Sequence, residues 1–407
     1  MKPTILFYCQ HSLGMGHLVR SFALAEALAE VFEVTFLNGG PLPKGMTSPK
    51  NIKVINLPAL GTEGPDGMLR SRDSRFTVEQ AMVYRRKIIH GLFEETKPAV
   101  LLIELFPFGR KKFAFELLPL LEAANSHPSR PKIVCSLRDI LVNRGGEKQV
   151  KHDDRARDQL EKYFDAVLVH TDPGFARLEE SFQPTRSSNI SVRYTGFVVT
   201  PEKAQKVSPP PARRIIVSAG GGIVGAPVFQ AAMDAQRDLW ETDKIPMTIV
   251  TGPFLPESCW ERLKARAVDR KDFQLLRYTP DLRSLIKNAF VSVSQCGYNT
   301  AMDILRSKVP ALIIPYEEGT QSEQLDRAER LQKLGIIRIV RQRDLNGKTF
   351  ANEIRSLMKF HPEPHKLNLN GTHNTLKTLQ EVVANSTALS LEKNSGAKEF
   401  SCDGNIA

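Results

Sequence analysis

Long apolar runs are missing from this 407-residue chain: none approaches the roughly eighteen residues that a membrane-spanning helix needs. Cysteine is scarce. The five residues at 9, 135, 259, 296 and 402 are scattered, odd in number and form no CxxC pair. That argues against a disulfide framework and a zinc site, and it points to a reducing cytoplasm. Aromatic residues make up only 7% of the chain, and no known nucleic-acid-binding motif accompanies its formal net charge of +11. Basic residues are interspersed with acids rather than gathered into one run. Nucleic acid is therefore set aside, which leaves an anionic substrate or an anionic membrane surface as the meaning of the charge. The amino terminus, MKPTILFYCQ, enters a strand at once and lacks the form of a secretory signal.

What the chain has in abundance is alternation. Hydrophobic content of 41% and charged content of 25% describe an ordinary globular protein, and the length exceeds what one core usually holds. Short apolar runs (TILFYC, EVTFLN, IKVINL, AVLLIEL, KIVCSLRD, DAVLVHTD) are separated by stretches of helical period such as LVRSFALAEALAEV and TVEQAMVYRRKIIHGLFEETK. Strand and helix in turn predict a parallel sheet covered on both faces. The pattern breaks at VTPEKAQKVSPPPARR, where three consecutive prolines mark an exposed connector. It then restarts with RIIVSAGGG, MTIVTGP, FQLLRY, AFVSVSQ and PALIIPY. The expected architecture is two tandem, doubly wound Rossmann-like α/β domains facing a central cleft. Their expected bounds are 1–198, a linker 199–213, 214–385, and a polar, mobile tail 386–407. Ligands of such sheets sit outside the carboxyl ends of the strands.

Two turns at such ends stand out. Ser218-Ala219-Gly220-Gly221-Gly222 follows RIIV, and three glycines let backbone approach a bulky anion, although glycine-rich loops also serve as plain turns. The second, SQCGYNTAMD at 294–303, puts Gln295, Gly297, Asn299 and Thr300 between a strand and a helix, where backbone N–H groups lack partners. Asp303, one turn along that helix, is placed to accept from ribose hydroxyls or simply to favour the helix dipole. Past the strand ALIIP, the side-by-side Glu323 and Gln324 open another helix.

Together, QCGYNTAMD and the following EQ resemble the donor-binding signature of GT-B glycosyltransferases, and most nearly the MurG-type family with its family 28 carboxyl-terminal domain. The resemblance extends in layout over the chain and in motif detail over 214–340. It implies a GT-B fold and a glycosyltransferase that moves a hexose or N-acetylhexosamine from a UDP-sugar to a hydroxyl acceptor, with inversion. It also implies roles: Gln295, Gly297, Asn299, Thr300 and the Gly220, Gly221, Gly222 loop for the diphosphate, and Asp303 for ribose. Tyr278 and Thr279, before Pro280, would meet the nucleobase, and Glu323 and Gln324 the donor sugar. Gln295 replaces the usual His and Asp303 the usual Glu. No Asp-x-Asp occurs, so neither a metal nor a separate cofactor is expected.

The amino-terminal turn, CQHSLGMGHLVRSF, brings Gly14, Gly16 and His17 to the mouth of the first helix. It is not a dinucleotide fingerprint, because Val19 stands where the third glycine belongs. His17 is a candidate general base, or a helix-terminal His bonded to backbone. Family 1 and MurG-type glycosyltransferases carry a His at this turn that the resemblance assigns to acceptor deprotonation. Arg20 replaces the proline of family 1, and the G-x-G-H-x-x-R form resembles UDP-sugar hydrolases, in which water is the acceptor. Glu104, at the end of AVLLIEL, either orients His17, binds acceptor or shapes the loop. The stretch FPFGRKKFAF after it is either a peripheral contact for an anionic membrane or an ordinary helix start with a solvated basic face. A non-catalytic nucleotide-sugar binder is a further reading; a GT-B epimerase lacks the acids it would need. The acceptor is not legible.

Overall fold

The computed structural model describes residues 2–12, 16–43, 46–62, 67–199, 213–279, 281–317 and 322–396, with side chains described to 384. Gly14, Pro280, linker residues 200–212 and the last eleven residues lie outside that description.

The first half builds a parallel sheet from β1 (Thr4–Cys9), β2 (Glu33–Asn38), β3 (Lys53–Asn56), β6 (Val100–Glu104), β7 (Lys132–Leu137), β8 (Ala166–Val169) and β9 (Ser191–Tyr194), in the order β3-β2-β1-β6-β7-β8-β9. A small antiparallel ribbon, β4 (Leu60–Gly61) and β5 (Arg70–Ser71), lies beside it. The inner strands β1, β2, β6, β7 and β8 are buried on both faces, which explains their unbroken apolar runs, whereas the edge strands β3 and β9 are partly exposed. In β1, Leu6 and Tyr8 enter one core with residues of α2 (Val78–Thr96), α3 (Ala114–Ser126) and α4 (Gly146–Tyr163). Ile5, Phe7 and Cys9 face the other core, shared with α1 (Gly16–Leu28). The register of period two thus assigns alternate residues to opposite helical layers. Thr77 opens α2 with a capping box completed by Gln80.

The second sheet uses β10 (Ile215–Ser218), β11 (Met247–Val250), β12 (Phe273–Leu276), β13 (Val291–Ser294), β14 (Ala311–Ile313) and β15 (Arg338–Ile339), in the order β12-β11-β10-β13-β14-β15. All its pairings are parallel. Around it lie α5 (Ala226–Asp243), α6 (Glu257–Ala267), α7 (Leu282–Lys287), α8 (Tyr298–Ser307), α9 (Glu323–Lys333) and α10 (Gly347–Leu357). In each sheet the strand order reverses beside the first strand of its half, between β1 and β6 and between β10 and β13. Crevices for ligands open at such reversals.

The last helix, α11 (Gly371–Gly396), changes the expected bounds. It follows the second sheet in sequence, yet Leu376 and Leu379 are buried in the core of the first, against α1. Helix also continues ten residues past the expected start of the tail at 386. The chain therefore crosses between lobes twice. The FPFGRKKFAF stretch reads differently in three dimensions as well. Phe106, Phe108 and Phe113 are core residues, and Lys111 and Lys112 are what it exposes. Its aromatic half is thus not available to a membrane surface, because the sheet buries it first. Among the described residues no helix is long and apolar enough to cross a membrane.

Candidate functional site

The helices that follow the two strand-order reversals, α1 and α8, meet where the lobes join, and each reversal carries residues singled out from the sequence. In the first lobe, α1 begins at Gly16 and presents His17, while β6 ends at Glu104. The two side chains, 87 positions apart, meet with His17 Nδ1 2.6 Å from Glu104 Oε1. Arg20, on the next turn of α1, donates from Nη2 to the same oxygen at 2.5 Å. Arg110 Nη2 stands 3.6 Å from the other oxygen, Oε2. Glu104 is fully buried, and burial alone would raise its pKa. His17, Arg110 and Arg20 outweigh that and hold its carboxyl below the usual range. Burial pushes the His17 imidazole down to about 3, against the upward pull of Glu104. At neutral pH the pair is therefore a neutral imidazole beside a carboxylate. A carboxylate only accepts, so Nδ1–H donates and Nε2 carries the lone pair.

In the second lobe, Gly220 to Gly222 follow β10. Gly222 has φ 94°, and a Cβ there would lie 2.2 Å from the Thr251 carbonyl. Gly220, at φ 53°, has open space where a Cβ would point. The loop thus needs glycine at 222 for packing and leaves backbone bare at 220. Across the reversal, α8 starts without a side-chain cap at Gly297, so the first-turn N–H groups have neither an intrahelical nor a capping partner. The helices α5 and α9 also start without side-chain caps.

The remaining expected residues are placed differently from one another. The Gln295 amide donates to the Val224 carbonyl at 3.1 Å, lashing the two loops together, and is itself buried. Thr300 is buried too. These two side chains lie inside the turn rather than on its outer surface. Asn299 donates to Gly16 O at 3.1 Å, joining the mouths of α8 and α1. Asp303 accepts from Arg283 Nε at 3.1 Å, and burial pushes its carboxyl up to about 6. Tyr278 and Thr279 are half-buried after β12. Gln324 is not open to a sugar through its oxygen, which accepts from Cys296 N at 3.0 Å and Tyr316 N at 3.2 Å. Glu323 accepts from Arg138 of the first lobe at 3.2 Å, and its Oε2 is buried with no hydrogen-bond partner.

Several residues of the site were not read from the sequence. Asp139, just past β7, takes two bonds from Arg327 of α9, at 2.6 and 2.8 Å, and both residues are fully buried. Arg327 Nη1 also donates to Cys296 O at 2.6 Å. Tyr298 inserts into the first lobe, donating to His170 O at 2.9 Å and accepting from Val198 N at 2.9 Å. Around it, Phe197, Phe175 and Ile140 of the first lobe pack with Cys296, Ala301 and Met302 of the second. The lobes are closed on each other over a mixed apolar and ionic seam.

Residues 216–383 match the model of the glycosyltransferase family 28 C-terminal domain. The fold is GT-B, and that match lies in its second half. A curated relative from Leuconostoc citreum (strain KM20) is 24% identical over 139 residues. Its name is UDP-N-acetylglucosamine--N-acetylmuramyl-(pentapeptide) pyrophosphoryl-undecaprenol N-acetylglucosamine transferase. That match covers 34% of this chain and 38% of the relative. The crystal structure of Acinetobacter baumannii MurG superposes with a TM-score of 0.52 at 15% identity, over 93% of this chain and 99% of that one. The calicheamicin glycosyltransferase CalG4 gives 0.57 at 15% identity, over 98% and 100%. These likenesses establish the two-lobed GT-B architecture, and the family 28 match runs through the second sheet into α11.

Three buried imidazoles make stability depend on pH. Burial lowers His17 and His170 to about 3 and His11 to about 4, from an ordinary 6.5. Between pH 6.5 and about 4 the unfolded chain binds these protons and the folded chain does not, so stability falls as pH falls. Each proton contributes about 1.4 kcal/mol per pH unit. Asp303, raised to about 6 by burial, acts in the opposite sense between 3.8 and about 6 and offsets one of the three. The melting temperature is expected to drop on acidification through this window. A flat or rising profile in calorimetry would mean that the imidazoles are charged when folded.

Proposed function

We propose that this protein transfers a sugar from a UDP-sugar to a hydroxyl acceptor, inverting the anomeric carbon. The observation that carries the reading is the meeting of two unlike chemistries at one seam. A neutral imidazole oriented by a buried carboxylate lies on one side, and an uncapped helix start with a bare glycine loop on the other. They are joined by the Asn299–Gly16 bond of 3.1 Å. In the step, His17 Nε2 takes the proton of the acceptor hydroxyl and that oxygen bonds to the anomeric carbon. The bond from that carbon to the β-phosphate oxygen breaks, leaving its electron pair on UDP. Backbone N–H groups and the dipole of α8, with the Gly220 loop, meet the charge that develops there. Preorganised donors of this kind are worth about 3 kcal/mol each. Asp303 takes the ribose hydroxyls, and the unpartnered Oε2 of Glu323 accepts from a sugar hydroxyl.

Water as the acceptor is the second reading, favoured by Arg20 in its paired position on Glu104. UDP release measured with and without added acceptor separates the two: a transferase needs acceptor, and a hydrolase does not. The donor site is tested by calorimetry with UDP. Asp303→Ala is expected to weaken UDP at least tenfold, near the value of about 1.5 kcal/mol or more for a hydrogen bond to a charged group, while leaving the fold intact. Unchanged affinity in that variant would remove Asp303 from the ribose.

A further inference from the structure

Arg20 is fully inside the molecule, with 1% of its side chain exposed, yet it lies at the contact between the lobes. One edge of its guanidinium donates to Glu104, while its Cζ stands 5.3 Å from the ring centroid of Tyr298. Tyr298 is the first residue of α8, the helix whose start faces the donor, and its hydroxyl is anchored in the first lobe by His170 O and Val198 N. A planar guanidinium can stack on one face and donate from an edge at once, whereas an ammonium cannot. Arg20 Nε is buried with no hydrogen-bond partner, a cost that a merely structural arginine has no reason to carry.

We propose that Arg20 is a positioning residue that couples the seating of Tyr298 in the first lobe to the orientation and charge state of the Glu104–His17 pair. The inference rests on the reading of His17 as the base. When the lobes close, Tyr298 arrives on Arg20, Arg20 is pressed onto Glu104 Oε1, and Glu104 is held as the acceptor for His17 Nδ1–H. When they part, Arg20 loses its platform and the carboxylate is free to turn. The base would then be set only when the donor's helix is in place. The charged groups that face His17 are Glu104 at the end of β6, Arg110 in the loop after it, Arg20 on its own helix, and the start of α8 by way of Asn299. Among them, Arg20 is the one in contact with both lobes through its side chain.

The test is a titration of full-length protein labelled with ¹⁵N-histidine, with the His17 resonance assigned by its loss in His17→Ala. Removing a neighbouring cation makes protonation easier, so Arg20→Gln is expected to raise the His17 pKa by about one unit or more. Tyr298→Ala is expected to move it the same way by a smaller step, and Arg20→Lys, which keeps the charge but cannot stack and donate at once, to move it by about as much as Tyr298→Ala. A shift in Arg20→Gln alone would make Arg20 a local cation without coupling, and a shift in neither variant would remove it from the pair; both overturn the proposal. Should Arg20→Gln fail to fold, Tyr298→Ala decides by itself, because Tyr298 reaches the pair through Arg20. A wild type that does not bind UDP sinks the functional reading, whereas a titration blind to Tyr298 sinks only this inference.

Discussion

His17→Ala is expected to lower sugar transfer by about a thousandfold, within the range for loss of a positioned general base, while UDP affinity stays within about threefold of wild type. The split follows from the layout. His17 belongs to the first lobe, and its Nδ1 is engaged by Glu104 at 2.6 Å, so what it offers a substrate is Nε2. The diphosphate reading rests on backbone of the second lobe, which the substitution does not touch. Glu104→Gln should lose most of the rate as well. A neutral amide no longer fixes the Nδ1–H tautomer and leaves Arg20 and Arg110 without their shared carboxylate. Turnover in His17→Ala within tenfold of wild type would move the base to another residue. Calorimetry with UDP and a coupled assay for UDP release give both halves of the result.

Asp139→Asn is expected to be the most destabilising exchange of a single side chain at the seam, by about 3–5 kcal/mol, because it leaves a buried arginine charge without its counter-ion. Asp139 and Arg327 have essentially no exposed side-chain surface. Arg327 also holds the Cys296 carbonyl, so the variant should loosen the turn at 295–297 and weaken UDP along with the fold. The double exchange Asp139→Leu with Arg327→Met should recover most of the stability, since replacing both partners with apolar groups removes the desolvation cost. It should not recover the Cys296 contact. Urea unfolding midpoints measure the first effect and UDP titration the second. A loss in Asp139→Asn below about 1 kcal/mol would show that water reaches the pair, as it does for surface salt bridges.

Particular elements show why parts of this were legible. Parallel strands covered on both faces must be apolar throughout, so runs such as TILFYC and AVLLIE declare themselves without any partner in view. Glycine after a strand marks bare backbone, and that signal led to Gly220 and Gly297. The helix α4 gave no such signal. Among its buried residues are His152 and Asp153, which form their own pair at 2.9 Å, so its inward face does not read as apolar. Arg327 and Asp139 were missed for a related reason. On a single chain, charged residues 188 positions apart look like two solvated faces, and nothing local announces a buried bond between them. The misplacement of α11 has the same origin: Leu376 and Leu379 give the period of a covered helix but not which sheet covers it. Gln295 and Gln324 were legible in kind but not in duty, because an amide can bind a phosphate or a neighbouring carbonyl equally well, and folding gave them neighbours first.

The double crossing of the chain has a mechanical consequence. One strand of polypeptide leaves the first lobe after Val199, and another returns to it, where Asn368 O accepts from Phe197 N at 2.8 Å and Gly371 N donates to Phe197 O at 2.9 Å. The two crossing segments are thus bonded side by side at one edge of the molecule, so the lobes are held together there and any parting of them is widest on the side away from Phe197.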